Sequence, residues 1–142
     1  MCDAAVLKQS TSKNPVSMQS GAEFLKQLFL ADSSLQICWD CEEMDPDSIC
    51  RSQKLSMDGA QELGAVYGMV NDYGGRNFKS SVSAFAENLK QKDISISQIS
   101  AYQPALEATM ATKEPMSDAQ KAEWIKFFDE IKMELKESGV KE

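Results

Sequence analysis

The chain has 142 residues, with 15 Lys and Arg against 22 Asp and Glu and no His, which gives a formal net charge of −7. This length fits a single domain spanning residues 1–142 that buries about two-thirds of the surface of its unfolded chain. The acidic balance argues against nucleic acid or an anionic membrane as a partner, because both require a cationic protein surface.

The sequence predicts a cytoplasmic protein. No apolar run approaches the roughly 20 residues that a membrane-spanning helix needs. The N-terminus, MCDAAVLKQSTSK, has an acid at position 3 and no long apolar core, so it does not resemble a secretory signal. We therefore expect the four cysteines to be reduced.

Two helices are predicted in the first part of the chain. Residues 1–16 contain a weak first helix, Ala4–Ser12, which Pro15 stops. Ser17 or Ser20 is expected to cap the next helix. Its apolar residues recur at helical spacing: Gly21, Phe24, Leu25, Leu28 and Phe29.

Residues 38–50 are predicted to form an acidic loop, after a short helical turn that starts at Asp32 and runs through Ile37. Its Cys38-x-x-Cys41 pair and Cys50 suggest zinc, but zinc normally takes four N or S ligands. Structural thiols are the favoured interpretation, with a disulfide in the loop or a metal site as alternatives. The acidic run 42–47 lacks the glycine and terminal glutamate of a calcium loop. We expect a solvated loop and no metal site.

The middle of the chain predicts two long helices, Ser52–Tyr73 and Phe78–Lys92, on either side of the corner Gly74–Gly75. The first has one apolar stripe: Leu55, Leu63, Val66, Val70 and Tyr73. The second has apolar residues spaced by 4, 3 and 4: Phe78, Val82, Phe85 and Leu89. Three glycines lie inside the first helix. Each destabilises a helix by about 1 kcal/mol relative to alanine, so their presence suggests that another backbone packs closely. They are Gly59, Gly64 and Gly68.

Two further helices complete an all-α chain of six or seven helices. Ser95 or Ser97 opens one, with Pro104 in its first turns and four inward residues: Ile99, Tyr102, Leu106 and Met110. Ser117 and Gln120 form a capping box at the start of the last helix. Its predicted buried face consists of Trp124, Phe127, Phe128, Ile131 and Leu135.

The order, lengths and spacings of these helices resemble a globin over almost the whole chain. The segment GAEFLKQLF (Gly21–Phe29) is similar to the second globin helix. ISAYQPALEATM (Ile99–Met110) resembles the helix after the proximal side, and AEWIKFFDEIKMEL (Ala122–Leu135) resembles the final helix. The resemblance implies a globin-like fold in which Gly21 meets Gly59 where two helices cross.

The resemblance also indicates which residues occupy the haem-pocket positions. The distal histidine position falls on Asp58, and the apolar residue one turn later falls on Glu62. A one-residue slip would place Gly59 and Leu63 there instead. The aromatic residue that wedges against the porphyrin maps to Trp39, or to Cys38 after a slip. The proximal histidine position falls on Leu89.

These residues do not suit haem binding. Globin iron is held by a proximal imidazole, leucine cannot bind a metal, and the sequence has no histidine in any register. We therefore expect no bound cofactor. If haem binds, four residues are the candidate substitute ligands: Lys90, Met57, Met69 and Cys38.

The favoured interpretation is a globin-like protein that does not bind haem or oxygen and acts as an interaction, structural or sensor-like subunit. The first alternative is a haem globin with a non-histidine axial ligand. The second is a binder of a small apolar ligand in the vacated haem slot. Asp58 and Glu62 could imitate an acid–base pair, but no nucleophile or partner cation is recognisable, so we expect no catalytic residues and no enzyme. A protein partner or self-association is expected by analogy with globins.

Overall fold

The computed structural model describes residues 2–142. Their regular secondary structure is helical, with no strand. This confirms the all-α prediction. The described residues form seven α-helices and two 3-10 helices. In chain order they are α1 (Ala4–Lys13), α2 (Met18–Ala31), the first 3-10 helix (Ser33–Trp39), the second 3-10 helix (Pro46–Arg51), α3 (Gln53–Asp72), α4 (Phe78–Lys92), α5 (Ile96–Ile99), α6 (Tyr102–Ala111) and α7 (Asp118–Glu137).

Side-chain caps fix where most of these helices begin. Ser17 caps α2 and Ser20 returns the hydrogen bond, so the two candidate caps form one capping box. Ser95 caps α5 in the same way, and the predicted box of Ser117 and Gln120 is present at α7. Each box satisfies backbone N–H groups that would otherwise lack partners.

The prediction of an irregular loop over residues 38–50 was wrong in part, because the second 3-10 helix begins within it and runs to Arg51, and the first ends at Trp39. The side chain of Asp45 accepts a hydrogen bond from the backbone of Asp47, and Pro46 occupies the first turn. Between the two helices, the Gln36 amide donates to the carbonyl oxygens of Cys41 and Met44 at 3.0 and 2.8 Å. Acidic residues and proline therefore begin short 3-10 turns in this segment, in addition to ending the α-helix.

The single helix predicted from Ser95 onward is broken into α5 and α6. Pro104 has no N–H, so it cannot bond to the carbonyl four residues earlier, and it lies at the third position of α6. The inward residues predicted for this region are nevertheless buried, as are those of α7.

The backbones of α2 and α3 come into close contact where the two helices cross. A Cβ added at Gly21 would lie 2.3 Å from the Ala60 nitrogen, and one added at Gly59 would lie 2.1 Å from the Gly21 oxygen. The expected meeting of Gly21 and Gly59 is confirmed. The same expectation was wrong for Gly64 and Gly68, because a Cβ there would meet nothing within 4 Å.

A core of aromatic residues lies behind this crossing. Tyr102 of α6 contacts the rings of Phe24, Phe85 and Phe128, and Trp124 stacks on Phe128. The turn between α3 and α4 is closed by a hydrogen bond from Ser81 to Asp72. Within residues 2–142, no helix is both long and apolar enough to cross a membrane.

We predict that Gly21→Ala destabilises the protein by about 2 kcal/mol or more, because the added methyl group would collide with the backbone of α3. The matched control is Gly64→Ala, where open space leaves only the gain in helix propensity of up to about 1 kcal/mol. Urea unfolding of both variants checks this. Equal effects at the two sites would contradict the crossing.

Candidate functional site in the cleft between α3 and α4

A cleft of about 600 Å³ opens between α3 and α4, with the end of the first 3-10 helix as its third wall. Three of the residues assigned to the haem pocket by resemblance line it: Trp39, Asp58 and Glu62. Asp72 contacts Ser81, and Glu62 contacts Asn88 ten residues earlier along α3. The two helices are therefore antiparallel, and both contacts bridge the same gap.

Glu62 is the central polar residue of the site and is only 3% exposed. Its Oε2 accepts a hydrogen bond from the Tyr102 hydroxyl at 2.7 Å, and its Oε1 accepts one from the Asn88 amide at 3.0 Å. Lys92 Nζ in turn donates to Asn88 Oδ1 at 2.7 Å. We call Tyr102, Glu62, Asn88 and Lys92 the Glu62 network. It joins α3, α4 and α6.

Burial dominates the electrostatics of this network. Removal from water raises the pKa of the Glu62 carboxyl above its ordinary value, against the opposing effects of the Tyr102 and Asn88 hydrogen bonds and the Lys92 charge. Burial, followed by the charge of Glu62, raises the pKa of Tyr102 well above its ordinary value. Tyr102 therefore stays protonated and donates to Glu62.

Asp58 behaves differently from Glu62. It lies one turn earlier on α3 and forms an ion pair with Lys54 at 2.8 Å, on the same helix. The two carboxylates thus have separate partners. The crossing of Gly21 and Gly59 matches the register in which Asp58, and not Gly59, precedes the crossing residue.

Lys92 is a cleft residue that the sequence did not reveal. Its ammonium lies over the ring of Trp39, 5.7 Å from the ring centroid, while Trp39 itself is buried. This places a cation against an aromatic face at the rim of the cleft. In the sequence, Lys92 was only the expected end of α4.

Leu89, which the resemblance assigns to the proximal position, is not among the residues that line the cleft. Leu89 is fully buried, and it is Asn88, one residue earlier, that faces Glu62 across the cleft. The apolar spacing of α4 contained this information, because Leu89 belongs to the same inward stripe as Val82 and Phe85. Asn88 lies beside that stripe.

The structure places two of the four candidate substitute ligands in the cleft wall and two outside it. Met69 and Cys38 line the cleft. Lys90 points elsewhere and donates to the Ser138 carbonyl at 2.6 Å, and Met57 is 48% exposed and is not part of the cleft wall.

The thiols do not gather into a site. Among residues 2–142, the four cysteines are free, and no group of three or more Cys, Asp or Glu side chains is arranged to hold a metal ion. Burial raises the pKa of the Cys38 and Cys41 thiols, which disfavours the reactive thiolate.

The residues facing each other in the cleft do not fit haem. A flat ring between two walls needs contact distances of about 3.5 Å on each side, or roughly 7 Å in all. The facing atoms of Glu62 and Asn88 are 3.0 Å apart and bonded to each other. No ring fits between them in this arrangement, and neither side chain is an imidazole.

Comparison with solved structures supports this architecture. No protein-family model matches the sequence, and no curated protein matches it. Among solved structures, the chain is similar to a globin-like protein of C. elegans, with a TM-score of 0.83 over 95% of this chain and 90% of that chain. This chain has the globin fold. The sequences are 18% identical, so the likeness is one of fold.

We predict that Glu62→Gln alters the pH dependence of stability. A raised pKa in the folded state means that the contribution of Glu62 to stability is fully present below the unfolded pKa of about 4.5 and is lost as pH rises through the folded pKa. Above 4.5, wild type should therefore lose stability relative to Glu62→Gln by up to about 1.4 kcal/mol per pH unit. Urea unfolding of both proteins across this range is the measurement. Parallel stability curves would contradict the burial of Glu62.

Proposed function

We propose that this globin-fold protein does not bind haem or oxygen and acts as an interaction, structural or sensor-like subunit. The observation that carries the proposal is the hydrogen bond between Glu62 of α3 and Asn88 of α4. It joins the two helices that, by resemblance, would grip haem. The absence of histidine from the sequence supports the same conclusion.

Haem binding through a substitute ligand has less support. Met69 and Cys38 lie in the cleft wall, but both are on the Glu62 side of the slot or at its edge. Lys90, the candidate on α4, is engaged with Ser138 outside the cleft. A haem would also have to displace the Glu62–Asn88 contact and leave one oxygen of a buried carboxyl group without its hydrogen-bond partner, which is costly.

An enzymatic function has less support still. Asp58 is paired with Lys54, and both oxygens of Glu62 accept hydrogen bonds from protein groups. A general acid or base must reach a proton on a substrate, and these carboxylates are already occupied. This favours a non-catalytic role.

A sensor-like role has one specific support in the cleft itself. The cleft is lined by Glu62, Asn88 and Lys92, which belong to the Glu62 network, and that network joins α3, α4 and α6. A molecule that entered the cleft would contact residues that hold three helices together. Occupancy could then alter helix positions, and so the surface offered to a partner, through its different affinity for the two arrangements.

We predict that titration of the purified protein with haemin gives no sharp Soret band and no saturation at one haem per chain. Absorption spectroscopy in the oxidised and reduced states checks this. The matched controls are Met69→Leu and Cys38→Ser, which remove the two candidate ligands that line the cleft. Any weak haem signal should be unchanged in both variants, because we attribute it to non-specific adsorption.

A saturable Soret band at one haem per chain would refute the proposal. If that band were lost in Met69→Leu or in Cys38→Ser, the haem-globin alternative with the corresponding axial ligand would replace it.

A further inference from the structure

A second pocket lies at the corner between α1 and α2, and it shares no lining residue with the cleft between α3 and α4. Its volume is about 230 Å³. Four parts of the chain form its walls: the corner at Pro15, the first turns of α2, Tyr67 of α3, and the end of α6 at Thr109 and Thr112. Pockets for drug-sized ligands have roughly 300–1,000 Å³, so this pocket suits a smaller molecule.

One long-range hydrogen bond holds the walls of this pocket together. The Tyr67 hydroxyl donates to the backbone carbonyl oxygen of Asn14 at 2.6 Å, across 53 residues of sequence. Burial raises the pKa of Tyr67 to about 12, so its hydroxyl keeps its proton at neutral pH. The bond therefore persists at neutral pH and joins α3 to the corner that follows α1.

The hydroxyl groups of the pocket have their hydrogens in use. Thr109 donates to the Ala105 carbonyl oxygen and Thr112 to the Thr109 carbonyl oxygen, both at 2.7 Å. A hydroxyl group has one hydrogen but two acceptor lone pairs, so the oxygens of these threonines and of Tyr67 remain as acceptors. An ammonium group is complementary to such a set, because it has three donors and no acceptor.

The pocket is lined by one carboxylate, Glu23, and one ammonium, Lys113. Gln27 donates to Glu23 Oε2 at 2.7 Å. Glu23 also attracts Lys26, but the Lys26 ammonium is paired with Asp47 at 3.1 Å. Among residues 2–142, neither Glu23 nor Lys113 forms an ion pair. The charges of the lining are therefore balanced, and each is left for a ligand.

We propose that this pocket binds a small α-amino acid with an apolar side chain, with its ammonium group at Glu23 and Thr109 and its carboxylate at Lys113. The side chain would lie against Pro15 and the ring of Tyr67, which line the same pocket. A zwitterion matches both charges of the lining, whereas an anion or a cation alone leaves one of them unmatched. The inference goes beyond the proposed function and does not depend on it, because the pocket and the cleft are separate.

The test compares L-valine with isovalerate, which lacks its ammonium group, and with isobutylamine, which lacks its carboxylate. Each is titrated at neutral pH into ¹⁵N-labelled protein, and backbone amide shifts are followed by NMR. We expect saturable shifts with L-valine at Glu23, Tyr67 and Thr109 and none at Asn88 in the cleft. Isovalerate should bind at least about tenfold more weakly, because the hydrogen bonds of a charged group are lost. Isobutylamine should bind about threefold more weakly, because Lys113 is exposed.

Two variants separate the two charged contacts. Lys113→Gln should weaken the binding of L-valine about threefold and leave that of isobutylamine unchanged, because only L-valine has a carboxylate. Glu23→Gln should weaken the binding of both about tenfold, because both have the ammonium group. The matched control is Lys79→Gln, an exposed lysine of α4 outside the pocket, which should change neither. Urea unfolding checks that each variant is folded.

Three outcomes would overturn the inference. The first is no saturable binding of L-valine, or saturable shifts at Asn88 in place of the pocket residues. The second is binding of isovalerate as tight as that of L-valine. The third is an equal loss of L-valine and isobutylamine binding in Lys113→Gln, which would mean that the lysine supports the fold and does not contact a carboxylate. The haemin titration is unaffected by each of these results.

Discussion

The burial of one carboxyl group, Glu62, determines how three helices of this globin fold are held together and what occupies its cleft. A carboxyl group removed from water requires hydrogen-bond partners, and here they come from Tyr102 on α6 and Asn88 on α4. Both partners lie on helices other than that of Glu62, so its hydrogen bonds join three helices at one point. In this fold, that point is where the resemblance to globins places haem. The Glu62 carboxyl group thus joins the three helices and occupies the position that the resemblance assigns to haem.

The network depends in turn on the crossing of α2 and α3. Gly21 and Gly59 let the two backbones touch, and this fixes the rotation of α3 that directs Glu62 inward and leaves Asp58 with Lys54 at the rim. Residues of larger volume at the crossing would move α3 away from the core. The crossing of α2 and α3 and the chemistry of the cleft are therefore linked through a single helix, α3.

The sequence predicted the fold well because its signals are local and repeated. Apolar spacing predicted α4 and α7, and Ser117 marked where α7 begins. The break before α6 was missed because the missing hydrogen bond of Pro104 competes with a continuous apolar stripe. The first 3-10 helix lies where a short helical turn was expected, but the second was missed because short turns have no periodicity, and acid and proline residues signal loops and tight turns alike.

The cleft was less predictable, since its chemistry comes from contacts between distant residues. Glu62 was placed in the pocket by resemblance, but its partners Tyr102 and Asn88 are 40 and 26 residues away along the chain. Lys92 had no distinguishing sequence context, and its place in the Glu62 network follows from its hydrogen bond to Asn88 and its contact with the ring of Trp39. Such pairings arise only when the helices are packed.

Glu62 and Asn88 bond directly across the slot. A double-mutant cycle with Glu62→Ala, Asn88→Ala and the double variant tests it most directly, by urea unfolding at constant pH. We expect a favourable coupling free energy of about 1 kcal/mol or more. Additive effects of the two substitutions, with a coupling close to zero, would show that the helices do not meet there and would contradict it.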